Sequence, residues 1–391
     1  MTPALDRRES EPTTPAAFDR RESERATPAA FDRRESEPAT SAGFSGLERR
    51  GAGPEVGGGL DFVLPPGLSA REPPEARGMA RDAVRLLVSR GDQAPSHHHF
   101  GDLPELLEPG DLIVVNNSAT LPAAVRLDRL AVHFSTARQD GTWLVELRRR
   151  TARASEPYAG GEPGEWLPLP GGATLRLIER ETPRLWRAAL DRDVEAYLQA
   201  HGAPIRYSYV TRDWPIEAYQ TVFATVPGSA EMPSAARPFT DRLVTALVAR
   251  GIGIAPITLH TGVASPEKDE PPYAERYEVP PATARLVDLT RRNGGRVVAA
   301  GTTVVRALET AAGPDGRVRP ARGWTRHLVT PRSGVRAVTG LITGLHEPRS
   351  SHLLMLTAIA GEPALARAYE EALRAGYLWH EFGDTHLILR K

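Results

Sequence analysis

The chain contains no cysteine. That excludes disulfides, thiolate nucleophiles, iron–sulfur clusters and cysteine-ligated zinc, and it fits a cytoplasmic location, which is the expectation here. It also lacks net charge. Lys plus Arg and Asp plus Glu are both 49, so there is no general pull toward nucleic acid, although a local basic face stays open. No apolar run approaches the roughly 20 residues of a membrane span, so neither an anchor nor a secretory signal is expected. There is no GxGxxG, no Walker lysine motif and no helical HExxH. A classical dinucleotide site, a P-loop and a zincin centre are therefore unsupported, and no metal is expected.

What is present is ample. The 391 residues are 40% hydrophobic, enough for two or three domains. The first segment repeats itself at intervals of about a dozen residues: "TPALDRRESEPT", "TPAAFDRRESERA", "TPAAFDRRESEPAT". Each unit offers one large apolar side chain (Leu5, Phe18, Phe31), too little to offset the entropy of ordering, so residues 1–59 are expected to be a disordered tail. Its end, "GAGPEVGGG", is expected to act as a flexible linker.

From Leu60 onward the patterns are those of a packed body. "LPELLEPGDLIVVNN" reads as a short helical segment, a Pro-Gly turn and a strand. "RLAVHFST", "WLVELRRR" and "GGATLRLIE", separated by glycine and charge, predict a small antiparallel barrel. Strands and helices then alternate. Thr240 caps a helix that Gly251 ends, "IGIAPITLH" is a strand, and "PATARLVDLTRRNGG" is a helix with Pro281 in its first turn. "RVVAAGTT" feeds the helix "VVRALETAA", "AVTGLITGLH" is another strand, and "THLILR" closes the chain. The fold class expected is α/β: a mainly parallel sheet domain covered by helices (60–122 and 200–391) with an inserted small β-barrel domain (123–199).

Ligands in open α/β sheets bind beyond the carboxyl ends of the strands. Polar side chains stand there at four places: Asn116 and Asn117, His260, Thr302 and Thr303, and His346. Asparagines after a strand are ordinarily turn formers, so each is weak alone. Their shared position is the signal, because an apolar core would not want hydrogen-bonding groups there. In "AAGTTVVRALE" Gly301 permits a tight strand-to-helix turn. The backbone N–H groups of residues 302–304 are candidate anion or ribose donors, with Arg306 one turn on. "HHHF" (His97, His98, His99, Phe100) is a metal candidate only in a loop, since adjacent side chains diverge in a strand. The basic runs "LRRR" and "TRRNGGR" are expected to be solvated.

Assembled in order, the pieces resemble the S-adenosylmethionine:tRNA ribosyltransferase-isomerase family of queuosine biosynthesis. "DFVLPPGLSA" resembles its opening, and His97, Phe100 and Leu103 match an H-x-x-F-x-x-L element. "PGDLIVVNNSATLPA" is similar to P-G-D-L-L-V-F-N-N-T-R-V-I-P-A. "YQTVFA", "GSAEMPSA", "TLH.G", "RVVAAGTTVVRALE", "LITGLHEP" and "AYEEALRAGYLWHEFGD" follow. The resemblance implies an α/β domain with an inserted barrel. It implies S-adenosylmethionine as a ribosyl donor to a 7-aminomethyl-7-deazaguanine base in tRNA, giving epoxyqueuosine and releasing adenine and methionine. It makes the tRNA anticodon arm a partner, with no membrane and a monomeric state. By the same resemblance Asn116, Thr302, Thr303 and Arg306 would bind S-adenosylmethionine, while His260, His346 and Asn117 would be catalytic. Departures are several. Ala119 and Ala124 stand where the family has arginines, Ala236 and Pro238 replace glycine and histidine, and Ala264, Ser265, Pro266 and Tyr273 replace glycine, threonine, phenylalanine and histidine. "VTPRSG" stands in place of Y-P-G-F. A diverged member acting on another nucleoside-like or amino-acid-like molecule, or a non-catalytic RNA-binding module, stays open at this point.

Truncation to Leu60 should leave the cooperative thermal transition nearly unchanged; a large drop in Tm would show that the tail packs on the body.

Overall fold

The computed structural model describes residues 60–151, 155–263 and 273–390. The repeat tail lies outside them, as do Ala264, Ser265 and Pro266. Nine strands form the main sheet, here β1 (Arg85–Arg90), β2 (Ser96–His99), β3 (Leu112–Asn116), β4 (Gly253–Leu259), β5 (Glu275–Val279), β6 (Val297–Ala300), β7 (Ala321–Thr325), β8 (Gly340–Gly344) and β9 (Thr385–Leu389). Their spatial order is β7-β5-β4-β3-β6-β8-β9-β1-β2. The central block β4-β3-β6-β8 is parallel throughout. Antiparallel strands flank it, β5 and β7 on one side and β9 on the other.

β3 shows why the centre is parallel and covered. All five of its residues are buried, a continuous apolar run of the kind that needs both faces shielded. Alternation sends Leu112 and Val114 to one face and Ile113 and Val115 to the other. The first pair packs with Val287, Val304, Val305, Leu308, Leu353 and Leu365 of the carboxyl-terminal helices. The second pair packs with Phe100, Phe239, Leu243 and Leu247. Thr240 caps the helix Asp241–Ala249 through its side chain, and Pro281 opens the helix Pro281–Arg292 as expected.

Between β3 and β4 the chain inserts a curled, seven-stranded antiparallel sheet spanning Ala124–Arg126 to Leu185–Leu190. Its inner face is built from Phe134, Val145, Leu147, Leu175, Leu177 and Trp186. One charge is buried with it. Glu146 is 2% exposed and is held by Arg148 at 2.7 Å and Arg184 at 3.0 Å. Beside these arginines, burial pushes the His133 imidazole down to about 3. Arg148, the first arginine of the "LRRR" run, is thereby an internal partner rather than a solvated one.

The "HHHF" stretch is an edge strand, β2, antiparallel to β1. The alternation of a strand sends His97 to Tyr377 and Glu371 (3.0 and 2.8 Å) and His98 to Ser96. No group of three or more His, Asp or Glu able to hold a metal occurs among the described residues. None of their helices is long and apolar enough to cross a membrane.

Candidate active site

β3, β4, β6 and β8 end side by side, and the predicted residues follow from those ends. Asn116, the last residue of β3, is wholly buried. Its Oδ1 accepts from the Leu259 N–H (3.0 Å) and the Ser118 N–H (3.1 Å). Its Nδ2 donates to the Leu259 carbonyl (2.8 Å) and to Thr303 Oγ1 (3.3 Å). The amide thus mimics one more residue of ladder between β3 and β4 and reaches the first turn of the next helix. Asn117 is partly exposed; its Oδ1 accepts from Thr258 Oγ1 at 2.7 Å, and its carbonyl receives the Thr225 and Val226 N–H groups.

His260 directly follows β4 and is 7% exposed. Arg276 Nη2 donates to its Nε2 at 3.1 Å, and its Nδ1 meets Ser118 Oγ at 2.8 Å. Arginine can only donate, so Nε2 is the acceptor and the proton sits on Nδ1, given to Ser118. Ser118 Oγ continues to Ser229 Oγ at 2.6 Å, which also receives the Thr261 N–H at 3.1 Å. Burial first, and then the Arg276 charge, push the imidazole down to about 4. It is neutral at physiological pH. Gly228 makes the arrangement sterically possible. Its φ is +146°, and a Cβ there would lie 2.4 Å from the ring nitrogen of His260, well inside van der Waals contact.

The helix Thr302–Ala311 starts directly after β6, with Gly301 at φ 108° as its cap. The Val304 N–H, one of the expected anion donors, is taken by the Gly301 carbonyl at 3.1 Å. Arg306 is buried, 8% exposed. It forms an ion pair with Glu275 and donates to the carbonyls of His327 and Thr325. Burial raises the Glu275 carboxyl while Arg306 lowers it, with a net upward shift. Glu275 also accepts the Gly262 N–H at 3.2 Å, so the pair anchors the turn after His260. Glu309 instead receives the backbone N–H groups of Arg336, Ala337 and Val338.

His346, just past β8, lies apart from His260. β3 and β6 intervene, so the two strand ends are about 14 Å apart at the usual strand spacing. Its Nε2 meets Thr343 Oγ1 at 2.8 Å, and its ring stacks on His352 with centroids 4.4 Å apart. Burial and the neighbouring imidazoles hold it well below the ordinary histidine range. Asn116, Asn117, His260 and Thr303 therefore form one cluster, while His346 belongs to a second along the same edge.

Sequence reasoning missed Ser118, Ser229 and Arg276, which complete the His260 network. Serines after strands are too common to signal anything. Ser229 did lie within the "GSAEMPSA" element, and Arg276 adjoins Glu275. The two alanine departures separate in space: Ala119 is partly exposed, whereas Ala124 is 4% exposed in the core of the inserted sheet. An arginine at Ala124 would have to break that packing to reach solvent.

The family described as "Queuosine biosynthesis protein" matches residues 59–388. A curated S-adenosylmethionine:tRNA ribosyltransferase-isomerase from Acidiphilium cryptum is 39% identical over 351 residues, covering 85% of this chain and 98% of its own. Another of that description from Moorella thermoacetica is 38% identical over 352 residues, covering 84% and 98%. A solved S-adenosylmethionine tRNA ribosyltransferase from Thermotoga maritima is 28% identical, with a TM-score of 0.48, and covers 84% and 99%. A queuosine-type α/β protein with an inserted barrel-like sheet is thus the class. This chain belongs to the S-adenosylmethionine:tRNA ribosyltransferase-isomerase family.

Two measurements test the site. Asn116→Ala strands the N–H groups of Leu259 and Ser118, and should lower stability by roughly 2–6 kcal/mol in urea unfolding, at about 1–3 kcal/mol per buried unsatisfied group. A loss under 1 kcal/mol would mean the amide bridge is dispensable. The second concerns pH. The folded His260 pKa, about 4, is below its unfolded value, so stability is full above about pH 6.5 and falls as pH drops toward 4. Between pH 7 and 5 the loss should be smaller by ~2 kcal/mol in His260→Asn than in the parent. Equal losses in both would show that His260 is free to protonate in the folded state.

Proposed function

We propose that this protein transfers and isomerises the ribosyl unit of S-adenosylmethionine onto a 7-aminomethyl-7-deazaguanine base in tRNA, giving epoxyqueuosine and releasing adenine and methionine. Family membership over nearly the whole described body is the observation that carries the reading. The strand-end cluster supplies what such a donor needs: polar groups at one parallel edge and a helix N-terminus beside them. S-adenosylmethionine is a co-substrate here, and no metal enters the reading.

The roles divide as the geometry allows. Thr302, Thr303 and Asn117 are the groups we assign to the ribose and methionine ends of the donor. Asn116 acts through Thr303, since its own four hydrogen-bonding positions are engaged. Arg306 acts through Glu275 by fixing the turn after His260, and a ligand carboxylate would have to displace that pair to meet the guanidinium directly. His260, neutral with both nitrogens engaged, orients Ser118 and Ser229. His346, in its separate cluster, serves another part of the same ligand or the second substrate. The anticodon arm of tRNA is the macromolecular partner. Residues 60–122 and 200–391 form the ligand-binding domain in this reading, with 123–199 the inserted domain. A cytoplasmic monomer completes it.

One incubation of purified protein with S-adenosylmethionine and precursor tRNA, followed by mass spectrometry, tests the reading. Free adenine and methionine should appear in equal amounts. Methylated RNA with S-adenosylhomocysteine, or donor binding without turnover, would overturn it.

A further inference from the structure

A third cluster, joined to the residue after β8 by the His380 N–H and the Leu345 carbonyl (3.5 Å), is not used above. Tyr207, Tyr209 and His380 form a continuous stack, with centroids 5.6 and 4.0 Å apart and planes within 11°. The Tyr209 hydroxyl donates to Glu381 Oε2, and Tyr207 is hydrogen-bonded with Glu231. His380 holds φ +75°, an uncommon conformation for a side-chain-bearing residue, and its Nε2 meets Ser69 Oγ at 3.2 Å. Glu381 Oε1 is buried and has no hydrogen-bond partner. A carboxyl oxygen in that state is costly unless something arrives to meet it.

The residue lines a cavity of about 10 Å³, shared with Ser234, Arg237, Pro238, Gly344 and His380. That is room for one water-sized group, which is also the size of an ammonium head. Gly344, the last residue of β8, lies on its wall. Pro238 stands at the position where the resemblance placed a histidine, so the cavity has lost one titratable group and has Glu381 on its wall. Arg237 lies on the same wall, its hydrogen bonds directed elsewhere. It donates to Glu75 (3.0 Å) and to the Ala218 carbonyl (2.9 Å).

We propose that Glu381, held by Tyr209, receives the ammonium of the substrate's aminomethyl group in this cavity and is a specificity determinant for the modified base. The inference rests on the tRNA reading above and names the residue that recognises its second substrate. Burial pushes the Glu381 carboxyl up, while the Tyr209 hydroxyl and the Arg237 charge pull it down. The Glu381 carboxylate accepts the proton that the ammonium must shed for its nitrogen to act as a nucleophile, leaving a carboxylic acid and a neutral amine.

Fluorescence anisotropy with two anticodon stem-loops tests this, one carrying 7-aminomethyl-7-deazaguanine and the other guanine at the same position. The parent protein should prefer the aminomethyl loop by about 10- to 100-fold, the range of one charge-assisted hydrogen bond. Glu381→Gln should lose most of that preference, with affinity for the guanine loop and for S-adenosylmethionine unchanged. Preference retained in Glu381→Gln, or a parent protein that binds both loops equally, overturns the proposal alone. A parent that binds neither loop overturns the tRNA reading and the proposal together. If Glu381→Gln does not unfold cooperatively, two further variants are measured. Tyr209→Phe keeps the ring stack and the carboxyl but removes its brace, so it reports on positioning; Glu381→Ala supplies the second test of recognition, and an undiminished preference there overturns the proposal equally.

Discussion

The Asn116 amide is the constraint on which the rest of the edge depends. A strand that ends normally leaves its last backbone groups to a turn. Here one side chain supplies two acceptances and two donations to three elements at once. Because these groups are buried, any displacement of β3 against β4 or against the helix Thr302–Ala311 would strand several polar atoms, each expensive without a partner. The relative height of those three ends is therefore fixed. His260, Ser118 and Thr303 inherit their positions from it.

The same logic limits what the histidine can do. An imidazole that receives a hydrogen bond from an arginine on one nitrogen and gives one to a serine on the other has no free site for a substrate proton. Arg276 also opposes protonation through its charge. These electrostatics suit an orienting group, which is the role we propose for it. The ion pair of Arg306 with Glu275 tells a related story. Its charges are mutually neutralised and nearly dry, so breaking one partner would cost far more than the pair itself contributes.

The main architecture was legible because periodicity carries it. The buried run of β3, the Thr240 cap and the proline-led helix Pro281–Arg292 are local signals that the packed chain has no reason to override. β1, β5 and β7 were not legible. "RLLVSR" is as compatible with a helix as with a strand, and the glycine in "ARGWT" weakens any strand pattern. Within the site, the asparagines and the Gly301 turn were visible from position alone. Their hydrogen-bond partners were not, because Arg276, Ser118 and Ser229 come from three separate segments that only the folded sheet brings together.

The departures from the family pattern carry different weights once they have places in the fold. At Ala124 a missing arginine leaves a well-packed core, paired through its backbone with Ala203 at 2.8 Å, so nothing around it awaits a charge. At Pro238 the missing histidine leaves a small cavity whose wall already contains another imidazole and a carboxyl oxygen without a partner. A chain drifting away from its chemistry would be expected to fill such a space with apolar side chains, because an unpaired buried oxygen is a standing cost. A buried oxygen there, braced by a tyrosine within an aromatic stack, suits the cation-binding role proposed for it.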